Sequence, residues 1–124
     1  MAESVTIVEE KFGNALEPLQ KIAFTWVSAA DGTATGQTTN TYTGEIIRLV
    51  TVPSPTAAPT DNYDIAINDE DTTDVLMGAG ANRDTANTEQ VLASSLGCVA
   101  NDKLTLEITN AGNTKGGTVY LYIR

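Results

Sequence analysis

The chain has 124 residues and a net charge of −9, from seven basic and sixteen acidic side chains, with no histidine and a single cysteine. That length suits one domain with one core. Without histidine, the serine–histidine and cysteine–histidine mechanisms and His-ligated zinc are excluded within one chain. One cysteine excludes an intrachain disulfide or a CxxC site, and the acidic balance opposes binding to a bare nucleic-acid backbone. Composition therefore points to recognition or structure, with no enzyme activity and no cofactor.

Nineteen threonines, about 15% of the chain, favour a pleated and half-exposed surface over helix. Segment 4–12 opens as a strand with Val5, Ile7 and Val8 apolar. Segment 13–20 contains Pro18 and is at most one helical turn. Segment 21–29 alternates, with Ile22, Phe24 and Trp26 on one side. Residues 31–37 read as a polar loop, and 38–43 as a threonine-rich strand. Segment 45–52 is the most β-branched of all. Pro53, Pro55 and Pro59 make a stiff extended segment unable to join a ladder.

Segment 63–68 alternates again, 69–73 is an acidic turn, and 75–77 reads as a short apolar strand. Residues 82–89 are polar and irregular, and 90–93 a short strand. Segment 103–109 places Leu104, Leu106 and Ile108 inward. Segment 118–124 sets Val119, Leu121 and Ile123 on one face and Tyr120 and Tyr122 on the other. The sum is an all-β fold in one domain over residues 1–124. It is an antiparallel two-sheet sandwich, jelly-roll-like, of about eight strands with little or no helix.

Two segments carry more apolar surface than one covered face requires. Ile46, Ile47, Leu49, Val50 and Val52 fall on both faces of their strand, and Tyr120 and Tyr122 back an aliphatic face. A sister copy or the proline segment 53–60 must cover the surplus. Ile46, Leu49, Val50, Tyr120 and Tyr122 are thus the expected interface residues, tyrosine being a favoured anchor.

Chemistry-bearing motifs are few. Asp69, Asp71 and Asp74 lie in a short acidic run that could ligate calcium. Against the EF-hand spacing, however, Asp74 stands where glycine is needed and Gly80 where the bidentate glutamate belongs. Asp84-Thr85-Ala86 resembles the turn of an aspartic protease, which needs two aspartates sharing a proton. No hydrophobic strand leads into it. Cys98 has no activating neighbour in sequence and reads as a small buried residue. Gly78-Ala79-Gly80 and Gly116-Gly117 lack the lysine and helix of a P-loop.

The start, Met1-Ala2-Glu3-Ser4-Val5-Thr6, lacks the basic and apolar regions of a secretory signal. No apolar run has the length of a membrane span. The sequence predicts folding in a cytosol.

The cadence of residues 60–124 carries a resemblance. It runs through Tyr63-Asp64-Ile65-Ala66-Ile67, the acidic turn, Val75-Leu76-Met77-Gly78-Ala79-Gly80, Leu104-Thr105-Leu106-Glu107-Ile108, and Gly116-Gly117-Thr118-Val119-Tyr120-Leu121-Tyr122. This resembles small head-region proteins of tailed bacteriophages, and more loosely their capsid decoration, or cement, proteins. The resemblance implies a virion structural protein made in the host bacterial cytoplasm. It implies a homotrimer on the capsid exterior that clamps the major capsid protein, without direct nucleic-acid or membrane contact. The alternative is a carbohydrate- or receptor-binding module of a phage head or tail fibre.

Overall fold

The computed structural model describes residues 3–14 and 18–124. Among these residues nine strands form in chain order: β1 (Ser4–Phe12), β2 (Leu19–Val27), β3 (Ala34–Gln37), β4 (Tyr42–Pro53), β5 (Asp64–Asn68), β6 (Glu89–Leu92), β7 (Cys98–Asp102), β8 (Thr105–Thr109) and β9 (Gly116–Ile123). They make two antiparallel sheets. The larger runs β1-β2-β9-β4-β6, with β7 also on β4, and the smaller runs β3-β8-β5. The fold is an all-β two-sheet sandwich. Its helical content among the described residues is one 3-10 turn, Ala93–Ser95.

The alternating segments form strands because alternation lets each sheet bury one face. Ile22, Phe24 and Trp26 of β2 meet Val119, Leu121 and Ile123 of β9 in the large sheet. Ile65, Ile67, Leu106 and Ile108 face them from the small one, and all are at most 3% exposed. Burying each such side chain stabilises the fold by roughly 1.5–3 kcal/mol.

Strand β4 departs from simple alternation for a definite reason. Ile46 pairs with Ile123 and Arg48 with Tyr122, so two steps on β4 match one on β9. Ile47 is the extra residue of a β-bulge. The bulge shifts the phase by one. Ile46 and Leu49, fully buried, both point into the core, while Arg48, Val50 and Val52 point out. The expectation that Ile46 and Leu49 form an interface is therefore corrected, since they are core residues between the two sheets.

Other segments also differ from the sequence reading. Strand β3 falls at Ala34–Gln37, inside the expected loop, and Thr38 to Thr41 form the turn after it. Gly36 explains the choice, since a Cβ there would lie 2.7 Å from Val5 Cβ, so only glycine permits this approach to β1. Residues 75–77 are a chain of turns and not a strand. Asp74 gathers the N–H groups of Ile67, Leu76 and Gly78 (each 3.0 Å), and Met77 adopts φ 54°. Strand β7 was not anticipated, and its alternation turns Val99 inward and Cys98 outward, so Cys98 is exposed. Of the segment expected to hold at most one helical turn, 15–17 lie outside the described residues, while Leu19 and Gln20 already belong to β2.

Two carboxylates close one edge of the sandwich. Glu3 accepts a hydrogen bond from the Thr35 N–H. Glu9 accepts from Thr39 N–H (3.1 Å), Thr39 Oγ1 (2.9 Å), Asn40 N–H (3.1 Å) and Tyr42 Oη (2.7 Å). Partial burial alone would raise the Glu9 pKa. The bonds from Tyr42, Asn40 and Thr39 outweigh it and hold the carboxyl below its ordinary 4.5. Burial, with the bond to Glu9, pushes the Tyr42 hydroxyl well above its ordinary value.

A carboxyl with a depressed folded pKa adds stability above its unfolded value, and that stability is lost as pH falls through the folded value. Glu9→Gln is expected to lower stability at neutral pH by about 1–2 kcal/mol. Denaturant titrations from pH 7 to 3 are expected to show a shallower acid decline for Glu9→Gln than for the parent. Equal slopes below pH 4.5 would contradict this account.

Candidate interaction face

The outer face of the large sheet can be assembled row by row from the strand registers. One row is Val8, Ala23, Tyr120, Val50 and Gln90, and the next is Glu10, Lys21, Tyr122, Arg48 and Leu92. Both tyrosines stand at the centre on β9. Lys21 Nζ lies 4.8 Å from the Tyr120 ring centre and 5.8 Å from that of Tyr122. The Arg48 guanidinium lies 5.1 Å from the Tyr122 ring centre, and its Nε and Nη2 donate to Gln90 Oε1 at 3.0 and 2.7 Å. Such contacts hold each cation over an aromatic face.

Apolar groups flank this centre. Val8 is 50% exposed, Phe12 47% and Leu92 76%. Two of the seven basic residues of a −9 chain thus sit at the middle of one face. Of the expected interface residues, the structure brings Val50, Tyr120 and Tyr122 together here, although Val50 is itself buried between its neighbours. It adds Lys21 and Arg48, which the sequence reading passed over. Their signal was the polar side of the 21–29 alternation and the one charge interrupting 46–52.

No family model, curated protein or solved structure matches this chain. The face must be judged on its own chemistry.

The proline segment does not cover the tyrosines. The Ser54 N–H donates to Gly116 C=O (3.0 Å) and the Gly116 N–H to Ala57 C=O (2.9 Å). Those bonds dock the segment at the start of β9, where it walls a groove of about 440 Å³ floored by Gly116 and Gly117. Tyr120 and Tyr122 remain partly exposed.

The other candidates resolve into turn-building roles. Asp74 does not join Asp69 and Asp71, because its oxygens bind the Leu76 and Gly78 N–H groups of its own turn and the Ile67 N–H of β5. Asp102 of β7 takes that place, and one carboxylate oxygen from each of Asp69, Asp71 and Asp102 lies within 4.8 Å of the others. Asp69 Oδ1 accepts from Asp71 and Thr73 N–H, and Glu70 Oε2 from Lys103 N–H. This calcium candidate is thereby redrawn around Asp102. Asp84 Oδ2 accepts from Ala86 and Asn87 N–H at 2.9 and 2.6 Å, and those bonds hold its carboxyl below the usual range. Asp84 thus serves its own loop, in a setting unlike the shared-proton pair of a protease.

Proposed function

We propose that this chain is a non-catalytic adhesive protein that binds a protein surface through the outer face of its large sheet. Tyr120, Tyr122, Lys21 and Arg48 are its anchors. The observation that carries the reading is the cluster of two ring-stacked cations and two partly exposed tyrosines at the centre of a sheet face that no loop among the described residues roofs. Tyrosine and arginine dominate binding energy at protein interfaces. A sugar would need the tyrosine ring faces, and Lys21 and Arg48 already lie against them. That favours a protein partner bearing carboxylates over a glycan.

The assembly proposed is the outer surface of a tailed-phage capsid, with the major capsid protein as partner. A −9 chain is repelled by packaged DNA, which supports an exterior position. Binding the assembled lattice and not its free subunits stabilises the lattice by mass action, and several copies acting together add avidity.

Co-sedimentation with emptied, expanded capsids of the parent phage tests the reading. Saturable pelleting is expected for the parent chain. Lys21→Glu/Arg48→Glu should weaken it at least about tenfold, equivalent to ~1.4 kcal/mol, with an unchanged circular dichroism spectrum. Absence of pelleting at any salt concentration ends the capsid reading. Pelleting that ignores the charge reversal ends the assignment of this face.

A further inference from the structure

Strand edges are the places where a sheet can bind another chain, and this molecule treats its edges unequally. The outer edge of β5 is covered by its own following segment. Val75 N–H donates to Ile67 C=O (2.8 Å), Ile65 N–H to Gly80 C=O (2.8 Å) and Arg83 N–H to Tyr63 C=O (2.7 Å). The β3 edge is blunted by acids, with Glu3 on Thr35 N–H and Glu9 on Thr39 and Asn40 N–H. Strand β6 is four residues long and runs straight into a 3-10 turn. Strand β1 is nine residues long, pairs with β2 in unbroken register, and contains no proline, glycine or bulge.

The ladder parity of β1 follows from one bond. Ser28 N–H donates to Lys115 C=O (2.7 Å), which turns the even residues of β2 toward β9 and the odd ones toward β1. The even residues of β1 therefore bond β2. The N–H and C=O groups of Val5, Ile7, Glu9 and Lys11 point away from it. Among the described residues none of these groups has a backbone partner on that side. Half of this open edge, Ser4-Val5-Thr6-Ile7-Val8, is uncharged and β-branched-rich, without the charges that protect an edge strand.

We propose that this edge pairs with β1 of a second copy, antiparallel about a twofold axis beside Val8. That register alone overlaps Ser4–Phe12 with itself over its whole length. It sets Ile7 opposite Glu9 of the second copy and Val5 opposite Lys11, joining the outward backbone groups in hydrogen-bonded pairs. Val8, half-exposed in one copy, meets its own equivalent, and Phe12 meets Ser4. No like charges stand directly opposite. Sliding the pair so that Glu9 or Glu10 is central sets a carboxylate against its equivalent, which is unfavourable. The row Val8, Ala23, Tyr120, Val50 would then run on into the second copy. A twofold pair of edges closes at two, whereas the decoration-protein resemblance implies three. The inference is independent of any capsid binding.

Sedimentation equilibrium from micromolar to millimolar protein tests it. The parent is expected to have the mass of a dimer, and Val8→Lys and Val8→Glu each that of a monomer. An equimolar mixture of the two variants should regain the dimer. A second measurement guards against misfolding of the charged variants. In a Cys98→Ser background, Val8→Cys should oxidise to a linked dimer, because a non-hydrogen-bonded antiparallel pair has its Cα atoms about 4.5 Å apart, within disulfide reach. Thr6→Cys in that background should not, since Thr6 would face Glu10. A parent that stays monomeric, a parent of trimer mass, or a Val8→Cys variant that links no better than Thr6→Cys overturns the proposal.

Discussion

Trp26→Ala is expected to cost about 3–5 kcal/mol, as for other large aromatic truncations in a core. Against a total of about 5–15 kcal/mol for a domain of this kind, that removes much of the stability. Trp26 is the only tryptophan, and it is 1% exposed. Its ring lies 5.6 Å from that of Tyr63, tilted at 43°, and so ties the large sheet to the segment entering the small one. It fits because Gly117 stands opposite it on β9, where a Cβ would sit 3.1 Å from Cζ2 and 3.3 Å from Cε2.

The same ring has a cost. Its Nε1–H is buried without a hydrogen-bond partner among the described residues, and an orphan donor of this kind is worth about 1–3 kcal/mol of destabilisation. Trp26→Phe keeps an aromatic ring in the cavity and removes the donor. It should therefore lose less than half of what Trp26→Ala loses. Urea unfolding followed by far-ultraviolet circular dichroism measures both, since the variants lack the fluorophore. Equal losses would contradict this account, because phenylalanine leaves a much smaller cavity than alanine.

The contrast between what alternation revealed and what it hid has a physical basis. Strands β2, β8 and β9 were legible because Ile22, Phe24 and Trp26, then Leu106 and Ile108, then Val119, Leu121 and Ile123 repeat at the period of a half-buried strand. Strand β7 was hidden because Val99 is its one buried residue, too little for a period to show. The bulge at Ile47 misled more seriously. A one-residue insertion leaves no trace in composition, yet it inverts every later position, so Ile46 and Leu49 read as surplus surface when both are core. Arg48 was the available clue, since unshifted alternation would have put its charge on the same side as Ile46. Tyr120 and Tyr122 were legible as the second face of an aliphatic strand. Their cations were not, because Lys21 and Arg48 reach them only through the β2-β9-β4 register, a long-range property.

Gly80→Ala is the other substitution expected to be severe, and its reason is purely steric. A Cβ at Gly80 would lie 2.2 Å from the Ile65 carbonyl oxygen and 3.0 Å from Leu76 Cδ1. The first obstacle is backbone, so no rotamer change relieves it. Gly80 C=O also accepts the Ile65 N–H at 2.8 Å, so moving the chain aside breaks one of the bonds that cover β5. The expected loss is about 3 kcal/mol, at the upper end for overpacking. Gly78→Ala is the matched control. Gly78 has φ +84° but open space where its Cβ would go, so it should cost only the left-handed backbone penalty of about 1–2 kcal/mol. Hydrogen exchange separates the two mechanisms. Gly80→Ala should expose the Ile65 amide to exchange well before global unfolding, while Gly78→Ala should leave that amide protected. If both variants lose stability equally and the Ile65 amide stays protected in each, residues 75–83 do not seal the β5 edge in the way described.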